Sequence, residues 1–322
     1  MKRVLFIGLI LFLIVGMVAF AGGGRQTEER SRLHLATGGT TGTYFPLGTA
    51  MAQIIMENTG MQVIVQATGA SRANIQLIDA GENQLAMVQN DVAEYAWTGA
   101  DFFQGTRYQT FNGVASLYPE PIQLIASVSS GIRTVSDLRG RNVSIGDVGS
   151  GTEFNSRHIL AAAGVGLNEI GVQNLGFGAS ADALRDGRIE AFFTTAGLPT
   201  AAIIDLATTR DIVIVPVDGA LASAIMRDHP FYTTLTIPAN TYRGQTSAVT
   251  TVTIKAVLIA ATSVSEEAVY QLTKSLFENQ PRLAAAHARG NDLNLTDAVE
   301  GMGQVPFHPG ALRFYREVGA IR

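Results

Sequence analysis

Cysteine is absent from this 322-residue chain. That excludes a disulfide framework, a thiol nucleophile, an iron–sulfur cluster, a thiolate zinc site and a lipid anchored on sulfur. Charge is scarce as well: 16% of residues are charged, against about 25% in an average globular chain, so neutral groups must do most of the polar work. The balance of −4 excludes a non-specific nucleic-acid binder, which needs a basic surface. There is one tryptophan, Trp97, and five histidines, His34, His158, His229, His287 and His308. No two histidines stand at HExxH spacing, and no serine lies in a GxSxG elbow. The histidines therefore read as structural or solvated, Trp97 reads as core, and no metal, cofactor or catalytic residue is expected.

What is plentiful is apolar side chain (47%) and glycine (34 residues), enough for a sizeable core with many tight turns. Lys2 and Arg3 precede an apolar stretch over 4–21 that ends Ala19-Phe20-Ala21, before Gly22-Gly23-Gly24. This is the pattern of a signal peptide cleaved after Ala21, so the mature chain is expected in the periplasm. A retained anchor is the alternative, since such a stretch just reaches the span of a membrane helix. Residues 22–32 read as a flexible lead-in.

From residue 33 short apolar runs alternate with helical patterns, the mark of βα units and an α/β fold. Strands are expected at 33–36, 61–67, 85–88, 122–128, 141–145, 189–193 and 251–261. Helices are expected at 44–58, 71–80, 92–98, 153–163, 179–185, 266–277, 282–288 and 312–318. Two βα blocks followed by a helical tail suggest two lobes, 33–124 plus 250–322 and 125–249, with crossing strands near 122–128 and 247–261.

The most informative feature is a pair of strand–loop–helix junctions about 110 residues apart. One reads Thr37-Gly38-Gly39-Thr40-Thr41-Gly42-Thr43-Tyr44-Phe45-Pro46, the other Gly146-Asp147-Val148-Gly149-Ser150-Gly151-Thr152-Glu153-Phe154. Glycines let the backbone approach a ligand, hydroxyls donate or accept, and a helix N-terminus offers unpaired N–H groups with partial positive charge. Such loops suit a carboxylate or phosphate, although capping alone also explains Ser and Thr there. Neither loop continues into the Lys-Ser/Thr of a P-loop. The stretch Gly176-Phe177-Gly178-Ala179-Ser180-Ala181 matches GxGxxA but opens a short helix, and it reads as structural.

Together with Thr68-Gly69-Ala70-Ser71 and Asn74, Gln89-Asn90-Asp91, Ala191-Phe192-Phe193 with Gly197-Leu198-Pro199, Ile237-Pro238 with Tyr242, and His308-Pro309-Gly310-Ala311, these loops resemble the TAXI family of substrate-binding proteins that serve TRAP transporters. The resemblance implies a two-lobed periplasmic binding protein of type II-like α/β fold, with a ligand cleft between the lobes and no enzyme activity. It would be a monomer that captures a small carboxylate such as glutamate, glutamine or 2-oxoglutarate and delivers it to a TRAP membrane permease. A sensor module presenting the same ligand to a membrane kinase is the alternative. The resemblance points to Thr40, Thr41, Gly42 and Tyr44 in the first loop, to Thr68, Ser71 and Asn74 in the second segment, to Ser150, Gly151 and Thr152 in the second glycine loop, and to Gly197. Glu153 beside an anion site favours a ligand that also carries an ammonium, or else serves the helix dipole. Arg72 departs from the family pattern. It either reaches a ligand carboxylate or lies in solvent.

Overall fold

The computed structural model describes residues 32–321. The expected leader, 1–21, and all but the last residue of the expected lead-in lie outside the described residues; Arg32 already belongs to the first strand. Among the described residues no helix is long and apolar enough to cross a membrane.

The chain runs β1 (Arg32–Ala36), α1 (Tyr44–Thr59), β2 (Gln62–Gln66), α2 (Ser71–Asp79), β3 (Leu85–Gln89), α3 (Asn90–Thr98) and β4 (Phe111–Ser127). It continues β5 (Asn142–Ser144), α4 (Gly151–Ala162), β6 (Gly171–Gln173), α5 (Phe177–Arg185), β7 (Ala191–Thr195), α6 (Ala201–Thr209), β8 (Ile212–Val215), α7 (Gly219–Asp228), β9 (Thr233–Ile237) and β10 (Val249–Ala261). The tail is α8 (Glu266–Glu278), α9 (Gln280–Ala286), α10 (Leu295–Ala298) and α11 (Pro309–Glu317). In the sheet the path is β2-β1-β3-β10-β4-β7-β5-β6, with β8 on β4 and β9 on β10. β1 pairs in parallel with β2 and β3, and β5 with β6 and β7, as βα crossovers require.

Two long strands join these parallel blocks. β4 and β10 lie antiparallel from Phe111 opposite Ala261 to Pro121 opposite Thr253. Beyond Pro121, β4 leaves β10 and pairs with β7 and β8. The hydrophobic core divides accordingly. One cluster gathers Leu35, Met51, Met87, Phe111, Leu258 and Tyr315, and we call this lobe 1. Two further clusters cover opposite faces of the second block, as the two-residue period of a strand demands. Leu124 and Phe193 face one cluster, Ile125 and Phe192 the other; these define lobe 2. Helix α4 spans the division, with Ile159 and Leu160 in lobe 2 and Phe154 packed into the core of lobe 1.

Candidate functional site

The helix starts converge where the lobes meet. Gly60 and Gly99 end α1 and α3 in left-handed conformation, while the starts of α1, α2, α4 and α5 line one cavity of about 50 Å³ between the lobes. From lobe 1 come Gly38, Gly39, Gly42, Thr43, Tyr44, Thr68, Gly69, Ala70, Ser71, Gln89 and Glu120. From lobe 2 come Asp147, Ser150, Gly151, Thr152, Phe177, Thr195 and Ala196. The lobes are closed on one another: Arg72 N donates to Gly149 O at 3.1 Å, Ala202 N to Thr41 O at 3.3 Å, and Thr43 Oγ1 to Gly197 O at 3.3 Å.

Of the residues singled out from sequence, Gly42, Tyr44, Thr68, Ser71, Ser150, Gly151 and Thr152 line the cavity. Ser150 Oγ caps α4 by accepting Glu153 N at 3.1 Å, Thr152 Oγ1 accepts Thr195 N at 3.2 Å, and Ser71 Oγ accepts Gln89 N at 3.1 Å. The other six do different work. Thr40 is exposed on the loop, and Thr41 packs on Gly178 of lobe 2. Asn74 is buried and spends its amide hydrogens on Thr37 O and Met87 O at 2.6 and 2.8 Å, so it braces the loop rather than reaching a ligand. Arg72 is half-buried, its guanidinium 5.4 Å from the Phe103 ring centroid, outside the cavity wall. Glu153 is neither exposed to a ligand nor unpaired: Oε2 accepts Gly149 N at 2.7 Å and Oε1 accepts Arg157 Nη2 at 2.6 Å. It shapes the glycine loop from within. Gly197 contributes its carbonyl to Thr43 and Thr200, and a Cβ there would lie 2.7 Å from Arg289 Cδ.

Sequence reasoning missed the buried groups on strands. Glu120 sits between Pro119 and Pro121 on β4, 1% exposed. Its carboxylate accepts Tyr44 Oη at 2.8 Å and Tyr118 Oη at 3.4 Å. Burial outweighs these bonds and drives its pKa well above the usual carboxylate range. Burial also raises the Asp147 pKa. Gln89, 3% exposed, carries a buried Oε1 with no hydrogen-bond partner; such an orphan costs roughly 1–3 kcal/mol unless something donates to it. Phe177, the second residue of the GxGxxA match, adds an aromatic wall against Gly42. The polar stretch Gln89-Asn90-Asp91 is the one available signal: Gln89 faces the cavity, Asn90 binds Lys255 N and Gly301 O, and Asp91 reaches Asn155 of lobe 2.

The cavity wall holds two acids and no lysine, arginine or histidine. Positive potential therefore comes from helix N-termini, which carry N–H groups without intrahelical partners. Trp97 is half-buried and packs against the lobe 1 core, edge-on to Phe111 at 5.6 Å.

A closed cleft between two α/β lobes, at the helix starts and the carboxyl ends of strands, defines the type II periplasmic binding-protein fold. The chain belongs to the NMT1-like family, whose family model matches residues 35–319. Solved structures of the same fold include the periplasmic aliphatic sulphonate binding protein SsuA from Escherichia coli, at 14% identity and TM-score 0.50 over 89% of this chain and 83% of that one. A binding protein component of an ABC phosphonate transporter from Pseudomonas aeruginosa matches at 11% identity and TM-score 0.50, covering 81% of this chain and 79% of that one. The GluR0 ligand-binding core from Nostoc punctiforme, solved with L-glutamate, matches at 13% identity and TM-score 0.50, covering 81% of this chain and all of that one.

These findings correct the expectation of a TAXI protein partnered by a TRAP permease. The family matched is the NMT1-like family, and the transporter named among the fold relatives is of ABC type. Glycine loops at paired helix starts are what a type II cleft requires, so they mark the fold rather than one family of transport system.

Proposed function

We propose that this protein is an exported solute-binding protein that closes its two lobes around a small zwitterion, an amino acid of the glutamate or glutamine kind, without chemical turnover. The observation that carries the reading is the cavity's charge inventory: helix starts from both lobes, the acids Glu120 and Asp147, and no cationic side chain. The starts of α2 and α4 would take the carboxylate, as anion sites built from backbone N–H groups do. Glu120 and Asp147 would take the ammonium, and the orphaned Gln89 Oε1 supplies a further acceptor for an N–H donor. An ammonium beside Glu120 would pull its raised pKa back down, since an opposite charge favours the ionised form. A pure dicarboxylate such as 2-oxoglutarate has nothing cationic to offer these acids and fits the wall less well.

The test is a thermal-shift screen of residues 22–322 after unfolding and refolding to strip carried ligand. A ligand at one hundred times its Kd adds about 2.7 kcal/mol to the folded state, several degrees in Tm. Shifts with glutamate or glutamine and none with 2-oxoglutarate are expected. A shift with 2-oxoglutarate alone would overturn the zwitterion assignment, and a Glu120→Gln variant with undiminished shift would remove Glu120 from the site.

A further inference from the structure

Beside the cavity, a polar seam, buried at His158 and Tyr95 and open to solvent at Asp101, ties the lobes together. From lobe 2, His158 Nε2 lies 2.7 Å from Asp101 Oδ2 of lobe 1. His229 Nδ1 lies 3.2 Å from the hydroxyl of Tyr95, also of lobe 1. The two imidazoles stack face to face, their centroids 3.7 Å apart and their planes at 22°. Although the three side chains bring ligand atoms within 4.8 Å of one another, stacked rings aim their in-plane lone pairs side by side, so they do not converge on a metal ion as tetrahedral ligands must.

The seam is wired to the cavity. Thr195, on the cavity wall, donates to Asn155 Oδ1 at 2.9 Å. Asn155 Nδ2 donates to Tyr232 Oη at 2.6 Å and to Asp91 Oδ2 of lobe 1 at 2.9 Å. Tyr232 Oη lies 3.0 Å from His158 Nδ1. With Asn155 donating to it, Tyr232 donates its own hydroxyl hydrogen bond to Nδ1, which leaves the hydrogen of a neutral His158 on Nε2, facing Asp101. Every donor in this chain has an acceptor only while His158 carries one hydrogen.

We propose that His158 and His229 are positioning residues of a proton-operated latch: neutral, they hold lobe 2 on Asp101 and Tyr95 of lobe 1, and protonation of His229 against its stacked neighbour loosens closure. Applied to solute release in acid, the latch rests on the reading of the cleft given above; its effect on the lobes does not. The charged and titratable groups facing the pair are Asp101; Asp91, Glu94 and Tyr95 on α3; Asp228 and Tyr232 around the end of α7; and Arg157 on α4, which is tied to Glu153 with its guanidinium 5.8 Å from the Phe102 ring centroid. Burial is the main influence that lowers the His229 pKa from 6.5, against opposing pulls from Asp101 and Asp228. A histidine lowered in the closed state stabilises closure above its ordinary value and withdraws that support as pH falls below it. Asp91, raised to about 6 by burial, titrates in the same range with the opposite sign. Once protonated it still accepts from Asn155, so the relay survives.

The absence of native cysteine permits a direct test. Spin labels on Ser263→Cys in lobe 1 and Ser223→Cys in lobe 2, both exposed, report the interlobe distance of the refolded, ligand-free full chain. The closed-distance population is expected to fall several-fold from pH 7.5 to pH 5.5, and His229→Gln to flatten that profile. Tyr95→Phe, which deletes only one hydroxyl, is expected to lower the closed population at pH 7.5. A distance distribution independent of pH, or a His229→Gln profile matching the parent's, would overturn the latch whatever the ligand screen returns.

Discussion

Ala70 departs sharply from the ordinary conformation of an L residue. At φ 67°, ψ −148° it precedes α2 in a backbone region that is essentially reserved for glycine. The conformation aims Ala70 N at Thr68 Oγ1, 3.1 Å away, and sends Arg72 N to Gly149 O across the cleft. The alanine thus stores strain at the cavity wall, of order 1–3 kcal/mol for such outliers. Ala70→Gly is expected to raise the stability of the ligand-free protein by about 1 kcal/mol, less than the strain because glycine also loosens the unfolded chain. Thermal unfolding measures it. A lower Tm would show that the Cβ, 3.6 Å from where one on Gly38 would sit, contributes more packing than it costs in strain.

At the scale of elements, the closed cleft depends on α4 meeting β3. A Cβ on Gly151, the first residue of α4, would stand 2.1 Å from Gln89 Cδ. Gly151→Ala should therefore hold the lobes apart or drive Gln89 into the cavity, while the helix gains up to about 1 kcal/mol of propensity. The expected outcome is a ligand-free Tm near the parent's with the ligand-induced shift lost; a full shift would mean that Gln89 swings clear at little cost. This dependence shows what sequence could and could not disclose. The starts of α1, α2 and α4 were legible from glycine, hydroxyl and proline chemistry within a few residues of one another. β4 was recognised only from residue 122, because Gly113, Pro119 and Pro121 interrupt its β-branched and apolar run, yet pairing with β10 extends it back to Phe111. β6, β8, β9, α6, α7 and α10 are not expected from the sequence: the strands are three to five residues long, α10 is one turn, and β8 is defined by pairing with β4, far away in sequence. For the same reason Glu120 and the His158–His229 stack were invisible. Each acquires its role from a side chain on another element, and no local spacing records that.

For the molecule as a whole, the decisive feature is that two long strands belong to both halves. β4 and β10 supply Phe111, Ala115, Leu258 and Ile259 to the core of lobe 1 and Ile122, Leu124, Val252 and Ile254 to the core of lobe 2. The tail closes the circuit: Glu94 accepts Gln304 N at 2.6 Å and Tyr315 Oη donates to Val114 O at 2.7 Å, binding the last segment to lobe 1. A lobe that lost its core would expose the apolar half of strands whose other half the second lobe still holds, so partial unfolding leaves the survivor with unpaired, uncovered sheet edges. Unfolding in urea is therefore expected as one cooperative transition. Trp97, packed on the lobe 1 core, reports that lobe by fluorescence, whereas far-ultraviolet circular dichroism reports helices of both. Coincident midpoints and slopes are the expected result, as two-state behaviour requires. A tryptophan transition separated from the dichroism would show that the crossing strands act as a flexible tether, and that lobe 2 carries its stability alone.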